Sequence, residues 1–269
     1  MSTELEFKPR MVGIICNWCC YGGADLCGVS RFQYPPFIRL VRVMCSGRVD
    51  LGHVFRAFSQ GLDAVFIGGC HINDCHYVTN GNYDALAMVL LCKRVLSHIG
   101  IDPERLRLEW VSAGEGIRFA NIMNEYGAQV QRLGPLGQTE GISATELRLH
   151  LDAATRLVPW FRMVLTERLG IPTRTEEGYR AFFASEEFDR LFDELVVEKL
   201  VLSRILLLLG ESPLSTGAIA ERLRLSPARV SKHTRSASRQ GLVRYDGDRG
   251  CYALADDPRH LQGRNRAEG

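Results

Sequence analysis

Nine cysteines stand in this chain of 269 residues. Eight of them, Cys16, Cys19, Cys20, Cys27, Cys45, Cys70, Cys75 and Cys92, fall in the first third, and only Cys251 lies beyond. The thiolate is both a nucleophile and a metal ligand. The N-terminal residues hold no long apolar stretch of the kind that directs export, so the expected location is the cytoplasm. In a reducing compartment, clustered cysteines point to metal, iron–sulfur or redox chemistry and away from a disulfide framework. Cys16 and Cys19 are three residues apart, Cys70 and Cys75 five apart, and Cys45 stands between the pairs. Four thiolates on one cluster is the simplest use of such a set.

The elements that must position these thiols are legible from the apolar pattern. Met11–Cys16, Ile38–Cys45 and Ala64–Cys70 each read as a strand ending in a cysteine, and Arg105–Val111 reads as a fourth strand. Helical spacing of apolar residues fills Val49–Gln60, Asn82–Ile99 and Gly116–Leu133. Strand and helix in alternation predict an α/β fold with a parallel sheet. In such a sheet the ligand crevice lies at the carboxyl ends of the strands. Cys16, Cys45 and Cys70 are therefore expected at one edge, with Cys19 and Cys75 on the loops that follow. Glycines stand beside them at Gly22-Gly23, Gly47 and Gly68-Gly69. They would let backbone approach an inorganic centre closely.

Other readings compete. Free cysteines are commonly buried as small hydrophobes, and Cys92, in Leu90-Leu91-Cys92-Lys93, reads as packed helix. Cys20 and Cys27 fit the same account. Structural zinc uses paired Cys-x2-Cys knuckles, and only Cys16/Cys19 has that spacing. A thioredoxin-like dithiol at Cys16/Cys19 would leave Cys45, Cys70 and Cys75 unexplained. His71 and His76 each follow a cysteine and are assigned supporting or surface roles.

Charge and composition exclude several classes. There are 33 Lys+Arg against 31 Asp+Glu, a net charge of +2, and hydrophobic residues make up 46%. This is a globular composition, not a disordered one. The near balance argues against a globally basic nucleic-acid binder. No apolar run of about 18 residues exists to span a bilayer. Neither a Gly-x-Gly-x-x-Gly loop nor a Gly-rich loop ending in Lys-Ser/Thr occurs, so no bond-making catalysis is assigned.

The second half differs in kind. Gly134-Pro135-Leu136-Gly137 breaks the pattern, and Ser143-Ala-Thr-Glu146 is a capping box ahead of helix. Helices are expected through about Arg168, over Thr175–Phe183 and over Ser185–Leu209, with Gly210 as the last one's C-cap. Two short helices, Thr216–Leu223 and Pro227–Gln240, precede a hairpin at Leu242–Leu254. That order predicts a winged helix-turn-helix. Its second helix carries Arg229, Lys232, His233, Arg235 and Arg239, the charge a recognition helix needs to meet phosphate. Winged helices also dock proteins, another copy of the same chain included, and docking is the preferred reading over DNA. The expected divisions are 1–137, an α/β domain; 138–210, an all-α connector; 211–256, the winged helix; and 257–269, a flexible tail.

Several strings resemble a known family. Cys16-Asn-Trp-Cys-Cys-Tyr-Gly-Gly-Ala-Asp25, Gly28-Val-Ser-Arg31, Tyr34-Pro-Pro36, Arg42-Val-Met-Cys-Ser-Gly-Arg-Val-Asp50, Gly68-Gly-Cys-His-Ile-Asn-Asp-Cys-His-Tyr77 and Leu106-Arg-Leu-Glu-Trp-Val-Ser-Ala113 occur in order. Together they resemble the methyl-viologen-reducing hydrogenase delta-subunit family over about residues 10–135. The resemblance implies a 2Fe–2S cluster held by four of Cys16, Cys19, Cys45, Cys70 and Cys75. It implies electron relay between an input module, a hydrogenase or similar dehydrogenase, and a heterodisulfide-reductase-type flavin subunit. Cys20 and Cys27 depart from the family pattern. The C-terminal half is an addition to the family's short form. The competing function is an iron–sulfur redox-sensing transcription regulator that binds DNA through the winged helix.

Overall fold

Met-Val-Gly-Ile-Ile-Cys, almost wholly buried, forms strand β1 over Met11–Cys16. A run so apolar on both faces is what a central parallel strand requires. The computed structural model describes residues 7–171 and 173–255. It divides into two units, Met1–Val196 and Val197–Gly269. The tail expected at 257–269 lies outside the described residues.

In the first unit β1 leads through α1 (Cys20–Val29) to β2 (Ile38–Val43), then through α2 (Leu51–Ser59) to β3 (Ala64–Gly69). Next come α3 (Asn82–His98), β4 (Leu106–Trp110) and α4 (Gly116–Leu133). All strand pairs are parallel, in the order β2-β1-β3-β4. Alternate strand residues face opposite sides. On one side Met11, Ile15 and Phe66 pack with Cys20 and Ala24 of α1 and with Phe119, Met123 and Tyr126 of α4. Asp50 starts α2 through a capping box with His53. Gly134, at φ 72°, ends α4.

Five further helical pieces complete this unit. They are α5 (Ala144–Arg156), α6 (Val158–Met163), a π-helical turn Val164–Arg168, α7 (Glu176–Phe183) and α8 (Glu186–Phe192). The capping box read from Ser143 and Glu146 is present at α5. α5 packs on α2, and α7 on α3. The segment around Gly137 belongs to this unit. Arg105, 0% exposed, straps it down. Its Nε donates to Glu140 Oε1 at 2.5 Å, and its other nitrogens donate to the carbonyls of Asp63, Leu133, Gly134 and Pro135.

The single helix expected over 185–209 is two helices. A π-helical turn at Asp193–Val197 follows α8, and α9 then runs Glu198–Glu211. Gly210 is therefore inside α9, with Ser212 capping it. The second unit consists of α9, α10 (Thr216–Leu223), α11 (Pro227–Arg239) and an antiparallel hairpin of β5 (Val243–Asp246) with β6 (Cys251–Leu254). Ser215 and Ser226 cap α10 and α11, and Arg224 in the left-handed region separates them. Leu200, Ile205, Ile219, Val230 and Val243 form its buried interior. Among the described residues no helix is long and apolar enough to cross a membrane.

Candidate metal centre

Strand order reverses between β1 and β3, because the chain moves outward from β1 to β2 and then returns past it. A crevice opens at such a switch point, beyond the strands' carboxyl ends. Cys16 is the last residue of β1, and Cys70 follows the last residue of β3. Their Sγ atoms stand 3.6 Å apart at that crevice.

The local chain directs the other thiols there. Cys19 is the N-cap of α1, directly ahead of the helix's first residue, Cys20. Cys20 N–H donates to Cys16 Sγ at 3.3 Å. Hydrogen bonding from Cys70 lowers the Cys16 thiol to about 6, against the pull of burial, with the amides of Cys20, Cys19 and Trp18 adding to it. Amides at a helix start favour a thiolate in this way. The same bond pushes the Cys70 thiol up, and burial and Cys19 add to this. Burial raises Cys19, which also bonds Cys70 and feels Cys16 and Cys75. Cys45 lies in extended backbone after β2, ahead of the turn Ser46–Arg48. Burial raises it to about 11, opposed by the Gly47 amide and reinforced by Cys75 and Cys16. Cys16, Cys19, Cys45 and Cys70 thus each feel at least one other thiol of the set.

Cys16, Cys45, Cys70 and Cys75 are buried and Cys19 is partly so. They form two subsets, Cys16/Cys19/Cys70 and Cys45/Cys75, joined by these longer-range interactions. Among the described residues no three of His, Cys, Asp and Glu converge on one point as the ligands of a single ion would. The remaining cysteines lie elsewhere. Cys20 is buried in α1, Cys27 Sγ donates to Phe32 O at 3.4 Å, Cys92 is buried in α3, and Cys251 is in the hairpin.

The supporting residues are only partly those the sequence singles out. Gly22 and Gly23 bring α1 against Ala113 and Ser112, where a Cβ on either would come within 2.8 Å. They pack elements together and do not meet a thiol. Gly81, which the sequence pattern does not mark, is the glycine whose Cβ would overlap Cys75 Sγ. Gly47 lies against Asn80 O, at 2.8 Å from where its Cβ would be. Asn82 Nδ2 donates to the carbonyls of Cys70 and His71 at 3.2 and 2.7 Å. His71 Nε2 is 2.7 Å from Glu115 Oε2, which also accepts from Ser112 N–H. The His76 ring stacks on Trp18, with centroids 4.2 Å apart.

The sequence profile of the methyl-viologen-reducing hydrogenase delta subunit matches residues 11–134. An F420-non-reducing hydrogenase iron-sulfur subunit of Archaeoglobus profundus is 48% identical over 130 residues, which is 48% of this chain and 94% of that protein. The chain belongs to the methyl-viologen-reducing hydrogenase delta subunit family. A second such subunit, from Methanococcus voltae, is 49% identical over 130 residues, 48% of this chain and 90% of that protein. The same region is 46% identical over 129 residues to a subunit of the Ferredoxin/F420H2-dependent CoB-CoM heterodisulfide reductase of Methanosarcina acetivorans. There the match is 48% of this chain and 16% of the larger protein. The delta-subunit family module thus occurs both on its own and inside a long chain. Here it is joined to residues 135–269, which lie outside the profile match.

Proposed function

We propose that this chain is an electron-transfer subunit carrying a 2Fe–2S cluster on four of Cys16, Cys19, Cys45, Cys70 and Cys75. It would act in the cytoplasm, between a hydrogenase or similar input module and a heterodisulfide-reductase-type flavin subunit. The observation that carries this reading is the meeting of Cys16 and Cys70 at the β1/β3 switch point, with Cys19 bonded to Cys70 and Cys45 to Cys75 beside them. Two irons need thiolates in two sets, and the thiols stand in two subsets. When bound, such a cluster takes up and releases single electrons; its potential depends on hydrogen bonds to sulfur and on solvent exposure. The chain's own contribution is to bury the thiols and aim the α1 amides at Cys16. Anaerobic reconstitution should give about two irons and two sulfides per chain, with an EPR signal on reduction. Stoichiometric zinc without labile sulfide would sink the proposal.

We further read α9–α11 with the hairpin as a winged helix-turn-helix that docks a protein partner. Glu198 of α9 takes Arg229 at 3.0 Å, Lys232 at 3.1 Å and His233 at 3.3 Å. Arg229 and Lys232, two of the permanent cations of α11, are thereby satisfied within the unit, and burial disfavours the charged form of His233. That favours docking over the redox-sensing, DNA-binding alternative, which needs those charges for phosphate.

A further inference from the structure

Cys75 sits in the long connection between β3 and α3, residues 70–81, which has almost no regular structure. Its internal backbone bonding is sparse: Asp74 N–H donates to His71 O at 3.0 Å. A loop this poorly bonded holds a side chain in place only if other elements tie it down. The Asn82 side chain secures its start, and the Trp18–His76 stack touches its middle. The last part, Val78–Asn80, is exposed, with Val78 at 77%.

We infer that Arg174, on the stretch leading into α7, is a positioning residue that clamps the Cys75 loop from outside the family module. One nitrogen of its guanidinium, Nη2, donates to Val78 O at 2.9 Å and to Thr79 O at 2.5 Å. The same group lies over the Tyr83 ring, 5.0 Å from its centroid. Tyr83 in turn donates from its hydroxyl to Asn73 Oδ1 at 3.2 Å and rests against Tyr179 of α7. Arg174 therefore holds the loop directly at 78–79 and, through Tyr83, at Asn73. Cys75 lies between these two anchors. Asp84, at the start of α3, is a carboxylate whose electrostatic neighbour is the same guanidinium. Nη2 serves both carbonyls while the planar guanidinium covers the Tyr83 ring, a stacking that the compact ammonium of lysine reproduces poorly. The residues 135–269 lie outside the profile match, so this clamp is a device of the longer chain.

The clamp stands on its own geometry; its effect on iron retention rests on the cluster reading above. Two charge-assisted bonds lost from an exposed loop should raise its open population by about tenfold. The test uses the full chain with Arg174→Ala, Arg174→Lys and, as a control on the same helix region, Arg180→Ala. In metal-free reduced protein, Cys75 alkylation followed by mass spectrometry should be about tenfold faster in Arg174→Ala and intermediate in Arg174→Lys. It should be unchanged in Arg180→Ala, with Cys16 and Cys92 unaffected throughout. In reconstituted protein, iron release to a chelator should accelerate in the same order. Wild-type Cys75 reactivity in a folded Arg174→Ala protein overturns the clamp. So does a uniform rise at all cysteines, which would mean general loosening. Failure of the wild type to take up iron would remove the cluster reading alone, because the alkylation result still decides the clamp.

Discussion

Cys16 and Cys70 are 54 positions apart in the chain and 3.6 Å apart at their sulfurs. The parallel pairing of β1 with β3, with Ile15 level with Gly68, places them there. Two thiols that close cannot both ionise freely, and their shared hydrogen bond lowers the Cys16 thiol while it raises that of Cys70.

Cys16→Ser or Cys70→Ser should lower iron affinity by at least the tenfold to hundredfold typical of damage to a metal site's surroundings. Cys92→Ser should leave it unchanged, because that thiol is buried in α3. Iron and sulfide content after anaerobic gel filtration decides it. Equal loss in all three variants would count against the assignment.

In metal-free protein one thiolate should titrate near pH 6 by ultraviolet absorbance, and Cys16→Ser should abolish it. The stability consequence follows by linkage. Cys16 is depressed from 9.0 to about 6, so its contribution is complete above pH 9 and is lost as pH falls through 6. Cys45 is raised from 9.0 to about 11, so its contribution is complete below pH 9 and is lost as pH rises through 11. Melting temperature of the metal-free chain should therefore rise from pH 6 to 9 and fall from 9 to 11. Inverted slopes would refute the lowering of the Cys16 thiol.

Glu140→Ala should destabilise the first unit strongly. It strips the carboxylate from Arg105, whose side chain is 0% exposed against 6% for Glu140. Leaving one member of a buried pair unmatched costs about 3–5 kcal/mol. Urea unfolding followed by tryptophan fluorescence measures this, and a loss below about 1 kcal/mol would mean that solvent replaces Glu140.

Glu198→Gln should free Arg229 and Lys232 and lengthen retention on a heparin column at low salt. The gain should vanish as salt rises, since phosphate-like contacts weaken with ionic strength. Identical elution of both proteins would show that Glu198 leaves these cations available already.

Much of this was legible in the sequence because it repeats. The strands over 11–16, 38–43, 64–69 and 106–110 are continuous or alternating apolar runs, and α4 spans Gly116–Leu133 as its spacing predicts. Cys16 at the end of β1 and Cys70 just after β3 follow from that pattern, whereas β2 stops at Val43 and leaves Cys45 two residues beyond it. What escaped has no period. Arg105 reads as an ordinary strand residue, yet its partners lie 28 to 42 positions away. Arg174 and Gly81 act through single long-range contacts. The turn at Asp193–Val197 hides inside an unbroken apolar pattern, since Leu195, Val196 and Val197 are buried whether or not the helix widens there. Gly210 is read as a stop because of its type, but Leu208 and Leu209 pack well enough to carry α9 one residue past it.

The strand order also sets a timetable for biosynthesis. The crevice has only one wall until β3 lies down beside β1, and Cys75 comes later still. A nascent chain that has completed β1 and β2 offers Cys16, Cys19 and Cys45 but lacks half the enclosure. Pairing that spans so much sequence is slow compared with local helix formation. Assembly factors that deliver inorganic sulfur and iron would therefore meet a receptive pocket only after β3 has been made and docked, and the younger chain would show them loose thiols instead.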